Sequence, residues 1–468
     1  MRKTLVVAFA FGPSLALASG YSLLNPHPRD LAVCASGVAA QTDASAAFTL
    51  PAALARVEGL SLRLGGGFIS VGSKWTDPTP GATLPPYTTF LPPTPAPPEP
   101  GTASLSGEIT GFPTVAVSYG GKISSWGNRG WGVGIALQPF GGTVLKWPAD
   151  WAGRYRITEV NRQVFSGTVT AGIEVIPQIR FGGGLVYYYT FETFKQHLWQ
   201  EFIPAAAGGG AGTPDAQAKL GQLTGGAASF DLSLEIDPIQ GVPLTLAVDY
   251  KHKASQNLSG PVSFSGLLPA LQVLSGPAGL VNATHASQDL TIPNTLNIGG
   301  AYRVAKPWLV MATFTFDRWV VYDADTFTGT NGATFTVPRH YGNGQTYRAG
   351  VAWDALEPLT VRAGLQRDVS GLNREFYSPT LPDASSWGFS LGGTWKFAKA
   401  FSFDAGAFYA TMDKVTAGTE PGFNGEPGIY PPIPPGTVVP IPQGTFRGSY
   451  DTHAWVFSAS VNWHPGAL

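Results

Sequence analysis

Ser390 has the sequence context closest to that of a catalytic nucleophile, because residues 388–392 read Gly-Phe-Ser-Leu-Gly. The Gly-x-Ser-x-Gly pattern exposes a reactive serine only where a strand turns sharply into a helix. In this chain apolar and polar residues alternate through the pattern, and no helical periodicity follows it. We therefore expect Ser390 to be an ordinary strand residue, and a lipid hydrolase remains the alternative that the pattern leaves open.

The spacing of the candidate metal and thiol ligands does not support a metal site. Seven histidines lack metal-ligand spacing, and they are His27, His197, His252, His285, His340, His453 and His464. Cys34 is the single cysteine, so it has no internal disulfide partner, and we expect it to be buried as a small residue. The glycines at 182–184 precede no phosphate-binding helix. The sequence thus predicts a protein that is not an enzyme and that uses no cofactor.

Two long connections carry apolar side chains that suit ligand binding. The first contains Phe194, Leu198, Trp199 and Phe202 at helical spacing, and the second contains Leu267, Leu268 and Leu271. Exposed apolar patches on otherwise polar loops often mark binding sites. Two interpretations stay open, which are a small core that holds the loops together and a hydrophobic groove that captures an apolar ligand.

Strands in which apolar and polar residues alternate must position these side chains. In 359–368 every second residue is apolar, and 455–463 repeats this pattern, as expected of half-buried strands. The predicted strands are 58–75, 111–121, 130–140, 153–176, 177–193, 227–238, 242–254, 289–303, 306–320, 344–356, 358–370, 385–398, 400–413 and 451–463. Short turns alternate with long connections at 76–110, 194–226, 255–288, 321–343, 371–384 and 414–450. About fourteen strands in this arrangement predict an all-β fold, a transmembrane antiparallel β-barrel.

Composition narrows the class of protein. Charged residues make up 13% of the 468 residues, about half the usual soluble share of roughly 25%. No mature segment offers about 20 consecutive apolar residues, so helical membrane spans are not expected. The formal charge of −1 and the lack of a basic run argue against a nucleic-acid surface. Few charges without helical spans fit a barrel, in which only alternate residues meet lipid.

The N-terminus reads as a secretory signal. Arg2 and Lys3 precede the apolar stretch 5–15, and 16–18 forms a small-x-small cleavage site, so we expect residues 1–18 to be removed. Export together with a barrel pattern predicts the cell outer membrane of a two-membrane bacterium. Residues 19–57 are dense in small residues and do not read as strand, and 58–468 form the barrel with its loops. The Pro-rich stretches 78–100 and 421–442 predict extended loops.

The cost of burying charge in lipid assigns the strand faces. A Lys or Arg on the lipid face costs roughly 2–4 kcal/mol near the midplane, so Arg348, Arg362, Asp317 and Asp404 should point into the lumen. Tryptophans near strand ends should form the interfacial girdles, and they are Trp308, Trp319, Trp353, Trp387, Trp395, Trp455 and Trp463.

The order of these segments resembles the FadL family of outer-membrane transporters for long-chain fatty acids and hydrocarbons. The similarity rests on the small-residue segment with 56–62 after it, and on 293–299, 347–350, 359–364 and 383–387. It covers essentially the whole mature chain. At residues 50–53 the family's Asn-Pro-Ala-Gly pattern reads Leu-Pro-Ala-Ala.

The resemblance implies how such a channel works. Residues 19–57 would be a hatch that plugs the barrel, and the channel would take up hydrophobic small molecules passively. A ligand would bind the loop groove and then a lumen site above the hatch, where Arg348 or Arg362 could pair with a carboxylate. A hatch shift or a kink in an early strand would open the path. The implied partners are the substrate, outer-membrane lipid and the barrel assembly machinery, with a monomer and no nucleic acid. A general diffusion porin is the other alternative.

Overall fold

The computed structural model describes residues 20–77, 101–201, 203–210, 212–275, 280–417 and 448–465. The two Pro-rich stretches predicted from the sequence, 78–100 and 421–442, lie outside these described residues. Within them, no helix is both long enough and apolar enough to cross a membrane.

The described residues form twenty strands and a few short helices. The strands are β1 Gly59–Thr76, β2 Thr102–Ser104, β3 Ile109–Ile123, β4 Arg129–Lys146, β5 Glu159–Ile176, β6 Ile179–Leu198, β7 Ala216–Ile236, β8 Leu244–Lys251, β9 Ala254–Ser265, β10 His285–Ile292, β11 Thr295–Ala305, β12 Trp308–Asp317, β13 Ala324–Gly329, β14 Thr334–Pro338, β15 Gly344–Leu356, β16 Leu359–Val369, β17 Ser386–Ala398, β18 Phe401–Met412, β19 Val415–Ala417 and β20 Gly448–Trp463. The α-helices are α1 Pro28–Leu31, α2 Ala46–Thr49 and α3 Pro269–Ser275, and 3-10 helices occupy Val38–Ala40, Pro51–Arg56, Ser124–Trp126, Ala205–Ala207, Leu280–Asn282, Trp319–Val321 and Arg374–Phe376.

The sheet closes on itself as a 14-strand antiparallel barrel, as the sequence predicts. The last strand, β20, pairs with the first, β1, from Leu62↔Trp463 to Thr76↔Ser449. Two barrel strands are each interrupted once, β8 and β9 at 252–253 and β10 and β11 at 293–294. Pro293 has no N–H for the ladder, which accounts for the second interruption.

Several predicted long connections are partly strand, and those predictions are wrong. The stretch 194–226 contains the end of β6 and the first half of β7, 255–288 contains most of β9, and 321–343 contains β13 and β14. The physical reason is visible on β9, whose exposed residues Ser255 and Asn257 are polar. These strand ends carry polar instead of apolar exposed residues, so the apolar and polar alternation that marks a strand against lipid is absent.

The N-terminal segment, which is residues 20–57, is buried along most of its length and contacts the inward-facing side of the wall. Glycines permit this contact because the two backbones touch. A β-carbon built on Gly172 would lie 2.3 Å from the Pro51 carbonyl oxygen, and one on Gly182 would lie 2.2 Å from the Ala52 nitrogen. Small residues on both sides therefore allow a folded segment to fit within the barrel.

Six of the seven predicted girdle tryptophans lie at least partly exposed on the outer side of the wall, but Trp319 does not. Trp319 is fully buried in the 3-10 helix after β12 and packs edge-on against Tyr21, with ring centroids 4.8 Å apart. Its nearness to a strand end in sequence was misleading, because β12 ends at Asp317 and the chain then turns inward.

Gly364 offers a direct test of how tightly the N-terminal segment is packed. Its β-carbon would lie 2.7 Å from the Cys34 nitrogen, so we expect Gly364→Ala to loosen the segment. Overpacking costs typically about 1–3 kcal/mol, which predicts roughly tenfold faster maleimide labelling of the buried Cys34 thiol. Gly167→Ala is the matched control, because its β-carbon meets nothing within 4 Å. Equal labelling rates in both variants would contradict tight packing.

Candidate functional site

A β-bulge in β4 receives the beginning of the N-terminal segment. Ser22 forms an antiparallel bridge with Gly141. Gly142 donates its N–H to the Tyr21 carbonyl at 2.8 Å, and Leu23 donates its N–H to the carbonyl of Phe140 at 2.9 Å. A β-carbon on Gly141 would lie 2.0 Å from the Tyr21 oxygen, so this approach requires glycine. The segment thus adds a short extra strand to the wall at the bulge.

The wall is parted beside this bulge. The register of β3 with β4 runs from Ile123↔Arg129 to Val115↔Leu137 and stops there. Both strands continue past this point, β4 to Lys146. The bulge therefore lies where β4 has lost one of its two neighbours, and the N-terminal segment pairs with β4 just after this point.

The first described residues are held from the opposite side of the lumen. Gly20 donates its N–H to a carboxylate oxygen of Asp383 at 2.9 Å. The Tyr21 ring packs edge-on against Trp319 and Tyr322, at centroid distances of 4.8 and 5.5 Å. Burial raises the pKa of Asp383 to about 7, although Ser370 and the Gly20 N–H stabilise its charged form. The start of the segment is thereby held between the bulge and the connection that precedes β17.

A cavity of about 110 Å³ lies between the N-terminal segment and the wall. The segment contributes Leu23, Leu24, Asn25, Val38, Phe48 and Thr49, and the wall contributes Gln138, Pro139, Phe140, Lys251, Asn297, Thr315, Asp317 and Arg348, among others. The bulge therefore forms part of the cavity lining. Apolar side chains from the segment face a mixture of polar and charged groups from the wall, which suits a molecule with one polar end.

Arg348 shares this cavity with Asp317, and the two side chains make no direct ion pair. It donates hydrogen bonds to Thr315 Oγ1 and, at 3.5 Å, to Gln366 Oε1. Among the residues that the structure describes, no carboxylate lies within the 4 Å of an ion pair with it. The alternation of residues along the strand predicts that Arg348 faces the lumen, and its contacts with Thr315 and Gln366 lie on that inner face.

Arg362 lies apart from the cavity. It donates a hydrogen bond to Thr394 Oγ1 at 2.6 Å and does not line the cavity with Arg348. The structure therefore separates the two arginines that the sequence grouped together.

Lys251 is a cavity residue that sequence reasoning missed. Its ammonium lies 2.7 Å from Asp249 and 3.0 Å from Asp231, and 5.0 Å from the centre of the Phe48 ring. The two aspartates pair with Lys251 directly, whereas Arg348 makes no direct ion pair. Asp249 lies two residues before Lys251 on β8, and Asp231 faces Lys251 across the β7–β8 hairpin, so the inward parity of all three residues was readable from the sequence.

The first of the two apolar loop clusters does not have the helical form that its spacing predicts. Phe194 and Leu198 belong to β6, so the helical spacing assigned to them was wrong, and Phe202 lies outside the described residues. The β-periodicity of β6 continues beyond the lipid-facing band, which made its end look like a loop. Leu198, Trp199 and Leu271 are buried, whereas Leu267 and Leu268 are half-buried. Most of these side chains therefore pack inward and leave little apolar surface for an open groove.

A buried ionic network stabilises the long connection that contains β13. Asp325 accepts hydrogen bonds from Arg162 and Arg339 at 2.9 Å each. It also accepts hydrogen bonds from Tyr322 and Gln288 at 2.6 Å each. Burial would raise the pKa of Asp325, but the two guanidinium groups outweigh it and lower that pKa to about 2. The network joins β5, β10 and the β13 connection.

Ser390 lies within β17, as expected, and its hydroxyl is 3.1 Å from the Cys34 sulfur. In the described part of the chain no group of three or more histidine, cysteine or acidic residues could hold a metal ion.

A family model described as "Outer membrane protein transport protein (OMPP1/FadL/TodX)" matches residues 9–464 of this chain. The long-chain fatty acid transport protein of Escherichia coli strain CFT073 is 26% identical over 235 residues, which are 47% of this chain and 50% of that protein. The protein of the same description from Shigella flexneri is 22% identical and covers 61% of this chain and 59% of its own length. The alignment thus spans about half the length of the first of these curated relatives.

Solved structures share the fold. A Pseudomonas aeruginosa FadL homologue superposes with a TM-score of 0.76 at 19% identity, covering 95% of this chain and 99% of its own. The P. putida toluene transporter TodX gives a TM-score of 0.62 at 14% identity, covering 96% and 99%. These similarities establish the barrel architecture over almost the whole chain.

Asp325→Asn tests the ionic network. Removing one partner of a buried ion pair costs about 3–5 kcal/mol, so we expect hydrogen exchange of the β13 and β14 amides to accelerate on the order of 100-fold. Asp323→Asn is the control, because the Asp323 side chain is 73% exposed and should leave exchange unchanged. Equal protection in the two variants would indicate that the network does not stabilise this connection.

Proposed function

This chain belongs to the OMPP1/FadL/TodX family of outer membrane transport proteins, and from that premise we propose that it is a passive channel for hydrophobic small molecules. The relatives named above are described as long-chain fatty acid transport proteins and a toluene transporter. The two substrate classes that we propose are accordingly long-chain fatty acids and hydrocarbons.

The observation that carries the proposal is the pairing of the N-terminal segment with the bulge in β4. A segment inserted at Gly141 and pressed against wall glycines supports a role as the hatch that plugs the lumen. A general diffusion porin would need a hydrated pore along its axis, and a plug of this kind argues against that alternative. The family's description as a transport protein argues against the lipid hydrolase, and we propose that this chain is not an enzyme.

We propose a route with three stages. A ligand first binds among the long connections, which we place outside the cell because outer-membrane barrels keep their short turns on the periplasmic side. Phe194, Leu198, Trp199, Leu267, Leu268 and Leu271 serve this stage only if the connections part, since most of them pack inward. Phe202 stays a prediction. The ligand next enters the cavity that contains Arg348.

The third stage is release at the bulge. The point where β4 has parted from β3 is occupied by Tyr21, Ser22 and Leu23. Withdrawing these residues would open the cavity to the gap between the two strands. This geometry favours exit sideways over passage straight through the hatch. Burial of an alkyl chain, at about 0.8 kcal/mol per methylene, and the concentration gradient drive the steps, and no energy source or cofactor is required.

The charge on Arg348 favours an anionic head group. Arg348 is half-buried and makes no direct ion pair, so a carboxylate bound beside it would gain charge-assisted hydrogen bonds. Arg362 lies outside this cavity, near the charges of Arg29, Asp43 and Asp404, so it can serve a carboxylate only at a separate position. The remaining proposed partners are outer-membrane lipid and the barrel assembly machinery, with the protein acting as a monomer.

Arg348→Gln tests the choice between the two ligand classes. Hydrogen bonds to charged groups contribute about 1.5–3 kcal/mol, so we expect at least tenfold weaker binding of a long-chain fatty acid. Binding of the alkane of equal length should not change, because it has no charge to pair. Arg303→Gln is the control, since Arg303 already pairs with Asp354 at 3.1 Å. Unchanged fatty acid affinity would overturn the role of Arg348 and favour neutral hydrocarbons.

A further inference from the structure

A groove of about 960 Å³ runs across the outer side of the wall between β4 and β8. Its floor is the pair Ala171 and Gly183, which face each other in the register of β5 with β6. Both residues face outward. Val169 and Leu185 form the next outward-facing pair in the same register, and their side chains are exposed. Two adjacent small residues on a face of large apolar side chains therefore leave a hollow.

Large apolar side chains border this hollow on the remaining sides. Ile173 and Phe181 lie across the next outward row, and Trp131 continues that row onto β4. Leu232 and Tyr250 flank the floor on β7 and β8. The lining is almost wholly apolar, so the groove suits a hydrocarbon chain and offers little to a head group.

The position of the groove along the barrel axis places it in one leaflet of the membrane. Phe181 lies two residues after the start of β6 and Ile173 three residues before the end of β5, both at a short turn. With a rise of about 3.3 Å per residue and tilted strands, the lower row lies roughly 5–10 Å from the barrel end. That end is periplasmic by the rule of short turns, and the adjacent leaflet of an outer membrane is made of phospholipid.

Two cations at this end of the barrel, on β3 and β4, are already paired. Arg129 lies 3.4 Å from Glu174, and Lys122 lies 2.7 Å from Glu58. A phosphate head group would therefore have to compete with carboxylates for these cations. The groove is expected to bind the chain of a lipid and to discriminate weakly among head groups.

We propose that this groove holds one acyl chain of a phospholipid from the periplasmic leaflet, lying over Ala171 and Gly183. The wall faces hydrocarbon here, so the hollow is filled by chain atoms or stays empty. An empty gap forfeits the dispersion contacts of its lining, and such contacts drive association within a membrane. This site is distinct from the transport cavity, because the strand backbone separates the two.

The same stretch of backbone is in contact with the N-terminal segment from inside. A β-carbon on Gly132 would lie 2.2 Å from the Leu54 carbonyl oxygen, and Gly172 and Gly182 approach Pro51 and Ala52 as closely. These three inward glycines also line the groove from behind. The bound chain and the proposed hatch would thus lie back to back across a single layer of backbone.

Ala171→Trp tests the proposal by filling the groove from an outward position. The full-length protein is purified from outer membranes in mild detergent, and retained lipid is measured by native mass spectrometry and by extraction. We expect the unsubstituted protein to retain about one phospholipid per barrel and the variant to retain at least fivefold less. Ala349→Trp, the same change at an exposed position on β15, is the control and should retain lipid normally.

Each alternative result has a defined meaning. Ala171→Leu replaces the tryptophan variant if the latter fails to show heat-modifiable migration, and equal retention in a folded variant overturns the proposal. Retention of lipopolysaccharide or of free fatty acid in place of phospholipid also overturns it, as does the absence of any retained lipid. Equal loss from the Ala171 and Ala349 variants would identify nonspecific annular lipid and would reject a defined site.

Discussion

Burying a charged segment inside a closed barrel is the constraint on which most of this structure depends. An unpaired ion in a low-dielectric interior is costly, so the charges of the N-terminal segment need partners, and Arg29, Asp43 and Arg56 have ionic partners on the wall. The Asp43 carboxylate forms ion pairs with the guanidinium groups of Arg29, at 2.6 Å, and Arg63, at 2.7 Å. The Asp404 carboxylate forms ion pairs with the same two arginines, at 2.9 and 3.1 Å. Two ions from the segment and two from the wall thus form one neutral cluster.

A second cluster repeats this arrangement where the segment enters the first strand. Arg56 pairs with Glu235 at 2.5 Å and with Asp237 at 2.9 Å, and Arg180 of the wall joins the same two carboxylates. Between the clusters, contacts depend on backbone and small residues. The segment is therefore held firmly at its later part. Its beginning, at Tyr21, is held by hydrogen bonds and aromatic packing without an ion pair of its own. That difference makes the beginning the part that a ligand could displace at the lower cost.

Sequence reasoning succeeded where a strand faces lipid on one side. β15 was predicted at its observed bounds, and Arg348 was placed on the inner face, because the lipid cost of a charge enforces strict alternation. It failed where lipid is absent, as in β9 and β13, and it mistook the end of β6 for a helix. The bulge in β4 had a readable signal in Pro139 and the glycines at 141–142, since proline and glycine within a strand often mark bulges. The cluster around Lys251 was missed because it needs the register of the β7–β8 hairpin, in which Asp231 faces Lys251, and the alternation of residues does not define that register.

The central claim is that the N-terminal segment closes the lumen of the intact protein and that its beginning is the movable part. Single-channel conductance of the processed, full-length protein in planar bilayers tests this most directly. The account predicts a closed barrel without steady ion conductance, and a marked rise when roughly the first twenty residues after the signal sequence are deleted. A large steady conductance in the intact protein, unchanged by the deletion, would contradict the account and would indicate an open, hydrated pore.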